Sequence, residues 1–189
     1  MQLTEVLHGK VKEDHPILTE CTEFLRESGG LPVLKNLSVH YNDFHKVKVR
    51  QRNRKDEFTK TFNEAFEEIP NLRQRSVAVN GQISFVAESK DREPFYIFPI
   101  DGYKYKYSLE VTNSKEDYQQ AFDVILELFD DKEVMELLLK YTYTSENLYE
   151  GITHGSEIIF YNIPYFYAVR TSVVDEYEKV LEKLNNGIC

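Results

Sequence analysis

Residues 155–170 read Gly155-Ser156-Glu157-Ile158-Ile159-Phe160-Tyr161-Asn162-Ile163-Pro164-Tyr165-Phe166-Tyr167-Ala168-Val169-Arg170. Two β-branched and aromatic runs flank a short Asn162-Ile163-Pro164 connection, the pattern of two strands joined as a β-hairpin. One acid, Glu157, stands at the mouth of the first run, between Ser156 and the apolar Ile158, Ile159 and Phe160. A carboxylate there loses its hydration unless a partner replaces it, so Glu157 is either paired structurally or employed chemically. Pairing across the same hairpin would bring Arg170 to it.

Strand patterns spread outward from this stretch. Leu31 to Tyr41 and Lys46 to Arg52 read as strands, and Ser76-Val77-Ala78-Val79 and Ile83-Ser84-Phe85-Val86 flank an Asn80-Gly81 turn, a strong hairpin signal. Phe95 to Phe98 and Tyr103 to Tyr107, separated by Asp101-Gly102, form a further strand pair. In the latter, Tyr103, Tyr105 and Tyr107 share one face and Lys104 and Lys106 the other.

Helical spacing occupies the rest. His15-Pro16 opens a helix with Ile17, Leu18, Cys21, Phe24 and Leu25 on one face, ended by Ser28-Gly29-Gly30. Asp56 to Ile69 carries Phe58, Phe62, Ala65, Phe66 and Ile69 on a core-facing stripe and stops at Pro70. A helix from Tyr118 to Phe129 precedes a shorter one through Val134 to Leu139, and Thr142 to Ile152 reads as loop or mixed structure. Thr171 or Ser172 caps a last helix that Asn185-Asn186-Gly187 ends. The expectation is one α+β domain over 1–189, with antiparallel-rich mixed sheets and flanking helices. Within it lie a helical region at about 1–30, a core at about 31–170 and a C-terminal helix at about 171–187.

Bulk properties fit that outline. A length of 189 residues, with 41% hydrophobic and 13% aromatic side chains, suits a single globular domain. No apolar run reaches the ~18–20 residues of a membrane span, and Met1 to Glu5 lacks the parts of a secretion signal. Cys21 and Cys189 make no disulfide framework, which fits a reducing cytoplasm. A net charge of −9 favours solubility or a basic partner and argues against a general nucleic-acid coat. Against this acidic body, Lys46, Lys48, Arg50, Arg52 and Arg54 recur at every second residue. Such a stripe is either the guarded face of an edge strand or a groove for phosphates, of a dinucleotide or a nucleic acid.

The strong catalytic motifs are absent: no Gly-rich phosphate loop, no paired His-x-x-x-His or Cys-x-x-Cys, no Gly-x-Ser-x-Gly. His8, His15, His40, His45 and His154 are scattered, so no metal site is expected. What remains is a strand carboxylate, a strand-leading serine and an earlier strand cation. The succession Leu31-Pro32-Val33-Leu34-Lys35-Asn36, then Arg73-Gln74-Arg75-Ser76-Val77-Ala78-Val79, then Phe95-Tyr96-Ile97-Phe98-Pro99 and Ser156-Glu157-Ile158-Ile159 resembles phage-encoded small proteins of the ADP-ribosyltransferase-like fold.

That resemblance implies an ADP-ribosyltransferase-like core acting on NAD, with a basic strand residue, a serine-led strand and a late-strand glutamate around the dinucleotide. It implies Glu157 as the catalytic carboxylate, steadying the positive charge that builds on ribose as the nicotinamide bond breaks. Ser76 would support the nicotinamide–ribose end, and Lys35 or Arg75 would contact a phosphate or ribose. The ADP-ribose would pass to a host target in the host cytoplasm. Where the family pattern has Arg followed by Gly, this chain has Lys35-Asn36, and Ala87-Glu88-Ser89-Lys90 lacks the expected Tyr-Gly. The alternative is a non-enzymatic acidic phage protein that binds and inhibits a host protein, using its acidic body and the aromatic face of Tyr103 to Tyr107.

Overall fold

The computed structural model describes residues 16–53, 56–81, 90–111 and 132–173. Among these, seven strands form one antiparallel sheet: β1 (Leu34–Ser38), β2 (Phe44–Lys48), β3 (Val77–Asn80), β4 (Arg92–Pro99), β5 (Lys104–Tyr107), β6 (Glu157–Tyr161) and β7 (Tyr165–Arg170), in the order β2-β7-β4-β1-β3-β6-β5. Five described helices flank it: α1 (Pro16–Glu20), α2 (Thr22–Glu27), α3 (Glu57–Ala65), α4 (Lys132–Thr142) and α5 (Leu148–His154). The second strand expected of the Asn80-Gly81 hairpin, the Tyr118 to Phe129 helix and most of the last helix lie outside the described residues.

The sheet is split. β1 and β4 pair over five residues, but β1 and β3 meet only at Leu34 and Asn80. One half holds β2, β7, β4 and β1, the other β3, β6 and β5. Two pairings read from the sequence are therefore corrected. β6 and β7 do not form a hairpin, because β6 pairs with β3 and β5 whereas β7 pairs with β2 and β4. Likewise β4 and β5 lie in different halves.

Both short connections are crossings between the halves, and side chains explain why. Ile163 is buried in the core, so the Asn162-Ile163-Pro164 link turns inward instead of capping a solvent-exposed hairpin. Asn162, in the left-handed region at φ 62°, donates through Nδ2 to the Gly102 carbonyl at 2.9 Å and ties the two crossings together. The Asp101 carboxylate accepts from Glu23 N at 2.8 Å and Thr22 Oγ1 at 2.7 Å. Its backbone N–H donates to the Glu20 carbonyl. That insertion breaks the single helix expected after Pro16 into α1 and α2.

Alternation along β6 assigns two cores. Ile158 and Phe160 join the face built with Phe24, Leu34, Phe98 and Tyr107, whereas Ile159 joins Phe58, Phe62, Met135 and Leu139 on the opposite face. Asp56 caps α3 by accepting from Thr59 N at 2.9 Å, and the helix buries Phe58, Phe62 and Ala65 as its spacing requires. The tyrosines of β5 share a face, with Tyr105 and Tyr107 stacked at 6.3 Å, yet that face is the core: Tyr103 and Tyr107 are buried. They are not a surface for a partner.

The segment Thr142 to Ile152, expected as loop or mixed structure, is mixed, and from Leu148 it runs as α5, ended by Gly155 at φ 82°. Gly151 of this helix lies flat on the Tyr107 ring, where a Cβ would sit 2.8 Å from ring carbons. Gly81 meets the same helix more closely: a Cβ would come within 2.9 Å of Ile152 Cα and nearer still to its carbonyl oxygen. Backbone cannot move aside as a side chain can. Gly81→Ala is expected to cost about 1–3 kcal/mol of stability, read as a lowered urea midpoint with unchanged slope.

Candidate functional site

Glu157 opens β6 and is 7% exposed. Its Oε1 accepts from Arg73 Nη1 at 3.0 Å, in an ion pair whose side chains are 8% and 5% exposed. The Arg73 guanidinium lies over the rings of Phe62 and Phe58, at 5.2 and 5.6 Å. Its backbone N–H donates to Asn63 Oδ1 at 3.0 Å, and Asn63 in turn donates to Gln74. Thus α3 supplies two rings and an amide, and the turn after it supplies the cation. The pair is desolvated, and within it the two charges offset each other.

The sequence partner named for Glu157, Arg170, is corrected. Arg170 Nε pairs with Asp43 at 2.8 Å, its Nη1 contacts Glu93, and its Nη2 donates to the Val39 and Tyr41 carbonyls. Arg73 was legible only as one of two arginines leading into β3. The signal that finds it is the register: β3 is the neighbour of β6, so its approach segment delivers the nearest cation.

The other nominated residues fall on neighbouring strands without converging on Glu157. β1, β3 and β6, which carry or follow Lys35, Ser76 and Glu157, lie side by side. The Lys35 ammonium donates to the Ala78 carbonyl, a β3 group facing the split where β1 has diverged. Ser76 is buried just before β3. Glu157 opposes Asn80, four strand steps from Ser76, or about 13 Å. Among the described residues no three His, Cys, Asp or Glu side chains gather into a metal-binding group, and no helix is long and apolar enough to cross a membrane.

No family model, curated protein or solved structure matches the chain. Function therefore rests on what the side chains can do.

Arg75 is exposed and opens onto a cleft of about 550 Å³ at the other end of β6, shared with Lys104, Tyr161 and Asn162. Lys104 sits directly opposite Tyr161 in the β5–β6 ladder, which places both side chains on one face. The Tyr161 phenol has its pKa raised, first by burial and then by the nearby Glu68. Glu68 itself faces Lys106 at 3.9 Å. That lysine's ammonium lies 4.5 Å from the Phe66 ring centre, and burial lowers its pKa.

The basic stripe keeps the alternation read from the sequence. Lys46, Lys48, Arg50 and Arg52 are exposed, with Val47 and Val49 turned toward the protein. β2 is the outer strand of the described sheet. Lys46 rests on the Tyr165 ring, 3.6 Å from its centre. Tyr165 and Tyr167 both donate to Glu20, at 2.8 and 3.0 Å, which holds that carboxyl below its usual pKa.

Proposed function

We propose that this chain is an ADP-ribosyltransferase-like protein of phage origin that acts by binding a host protein, without transferring ADP-ribose. One observation carries the reading. The carboxylate nominated for catalysis is buried and paired with Arg73 at 3.0 Å, and that guanidinium lies over the rings of Phe58 and Phe62. Steadying an oxocarbenium-like ribose needs an anion open to the substrate. A carboxylate already paired with a guanidinium has little field left to offer. The core that the resemblance implies draws support from the sheet order, since β1, β3 and β6 are neighbours although about 40 and 80 residues separate them in the chain.

The binding reading is supported by an apolar stripe on α4. Val134, Leu137 and Tyr141 follow one another at helical spacing and are 39%, 51% and 87% exposed, while Met135 and Leu139 fill the core behind them. An exposed apolar stripe of this kind marks a contact site for protein. The transferase reading is favoured by one feature, Arg75 open to a cleft, with NAD as the dinucleotide it would hold.

Labelled NAD decides between the two. Incubated with bacterial lysate, the wild-type chain is expected to leave no label on protein, matching Glu157→Gln and a no-protein control. Label that appears with wild type and disappears with Glu157→Gln, both proteins melting cooperatively, would establish the transferase.

A further inference from the structure

We infer that the cleft bounded by Arg75, Lys104 and Tyr161 is a binding site for a small phosphate-bearing anion, of which a nucleoside diphosphate is the class that fits. The charge argument comes first. Arg75 and Lys104 have no carboxylate partner among the described residues, and the single acid at the rim, Glu68, faces Lys106. Two cations and one acid thus line one concavity of a chain whose net charge is −9. An anion in a cleft lined by two cations is attracted to both. A guanidinium fork beside a lysine point charge is also the combination that grips phosphate: the fork fixes geometry and the ammonium adds charge.

The frame is built before any ligand arrives. Lys104 is held in ladder register against Tyr161, and Asn162 is pinned to the Gly102 carbonyl. The Gln74 and Arg75 backbone N–H groups both donate to the Asn71 carbonyl, Asn71 itself being left-handed at φ 56°. Ile69, Pro70, Ile163 and Pro164 give apolar walls on which a flat ring can rest. A volume of about 550 Å³ lies within the range of small-ligand sites, roughly 300–1,000 Å³.

This site lies at the opposite end of β6 from the Arg73–Glu157 pair, and direct binding reads it whether or not label is transferred. Calorimetric titration of the whole chain with ADP, inorganic pyrophosphate and adenosine tests it. ADP and pyrophosphate are expected to bind saturably at one site, with adenosine showing no binding over the same range. Arg75→Ala and Lys104→Ala should each weaken ADP by about tenfold and leave the melting temperature in place, since both side chains are exposed. Lys140→Ala, an exposed cation on α4, should leave the affinity unchanged. No saturable binding of ADP or pyrophosphate into the millimolar range would overturn the site. So would an equal loss with Lys140→Ala, which would mean diffuse attraction, or adenosine binding as tightly as ADP.

Discussion

Arg73→Ala lowers the free energy of unfolding by about 3–5 kcal/mol in a urea titration, among the largest single-residue losses expected of this chain. The substitution removes the guanidinium from a Glu157 that is 7% exposed, and with it the cation that lies over Phe58 and Phe62. Glu157→Ala costs a comparable amount, because Arg73 is then the stranded charge. Replacing both, as Arg73→Met with Glu157→Leu, recovers most of the loss, since an apolar pair of similar volume avoids desolvating either ion. A carboxylate kept for catalysis behaves in the opposite way: its removal is neutral or stabilising because it relieves a strained, functional charge. If Glu157→Ala raises the urea midpoint, the structural assignment of the pair fails.

The second large effect comes from the ring above that pair. Phe62 is fully buried, with ring centres 5.8 Å from Phe58, 5.0 Å from Phe66 and 5.3 Å from Tyr143, and the Arg73 guanidinium at 5.2 Å. Phe62→Ala is expected to cost about 3–5 kcal/mol through lost burial and the cavity left behind. It also admits water to the ion pair. In a double-mutant cycle, Arg73→Ala made after Phe62→Ala should therefore cost less than when made alone, by about 0.5–3 kcal/mol. Strict additivity would show that the ring packs beside the pair without sealing it.

Elements whose identity is local were legible in the sequence. The Phe58, Phe62, Ala65 stripe gave α3 its buried face, and the Tyr–Lys alternation gave β5 its two faces. The outward cations of β2 followed from period two. Pairings were not legible. Asp101-Gly102 and Asn162-Ile163-Pro164 carry the same local chemistry whether the chain reverses beside itself or crosses to the other half-sheet. The choice is made by Ile163 entering the core and by the Asp101 carboxylate capping α2, contacts that span about 80 residues in the latter case. A hairpin would set Arg170 near Glu157, but β7 lies in the other half of the sheet. The true partner, Arg73, follows only once β3 is known to lie beside β6. Lys35 was visible as a lone strand cation. Its use in satisfying the Ala78 carbonyl depends on the divergence of β1 from β3, which leaves no mark in the sequence.

The crossing of the last two strands bears on how this chain meets the ribosome. β6 supplies a neighbour to β3 and β5, and β7 supplies one to β2 and β4. A nascent chain released only as far as residue 154 can therefore assemble β1 on β4 and little else of the described sheet. β2 and β5 have no described strand to pair with, and β3 has the single Leu34–Asn80 contact. Aromatic, β-forming segments such as Tyr103 to Tyr107, whose one earlier pairing is the Tyr107–Thr144 bridge, must wait for residues 157–170 to emerge. Both halves of the sheet then become completable almost at once, so the sheet forms in one concerted step, and a product stalled before residue 157 is a substrate for chaperones and proteases instead of a stable fragment.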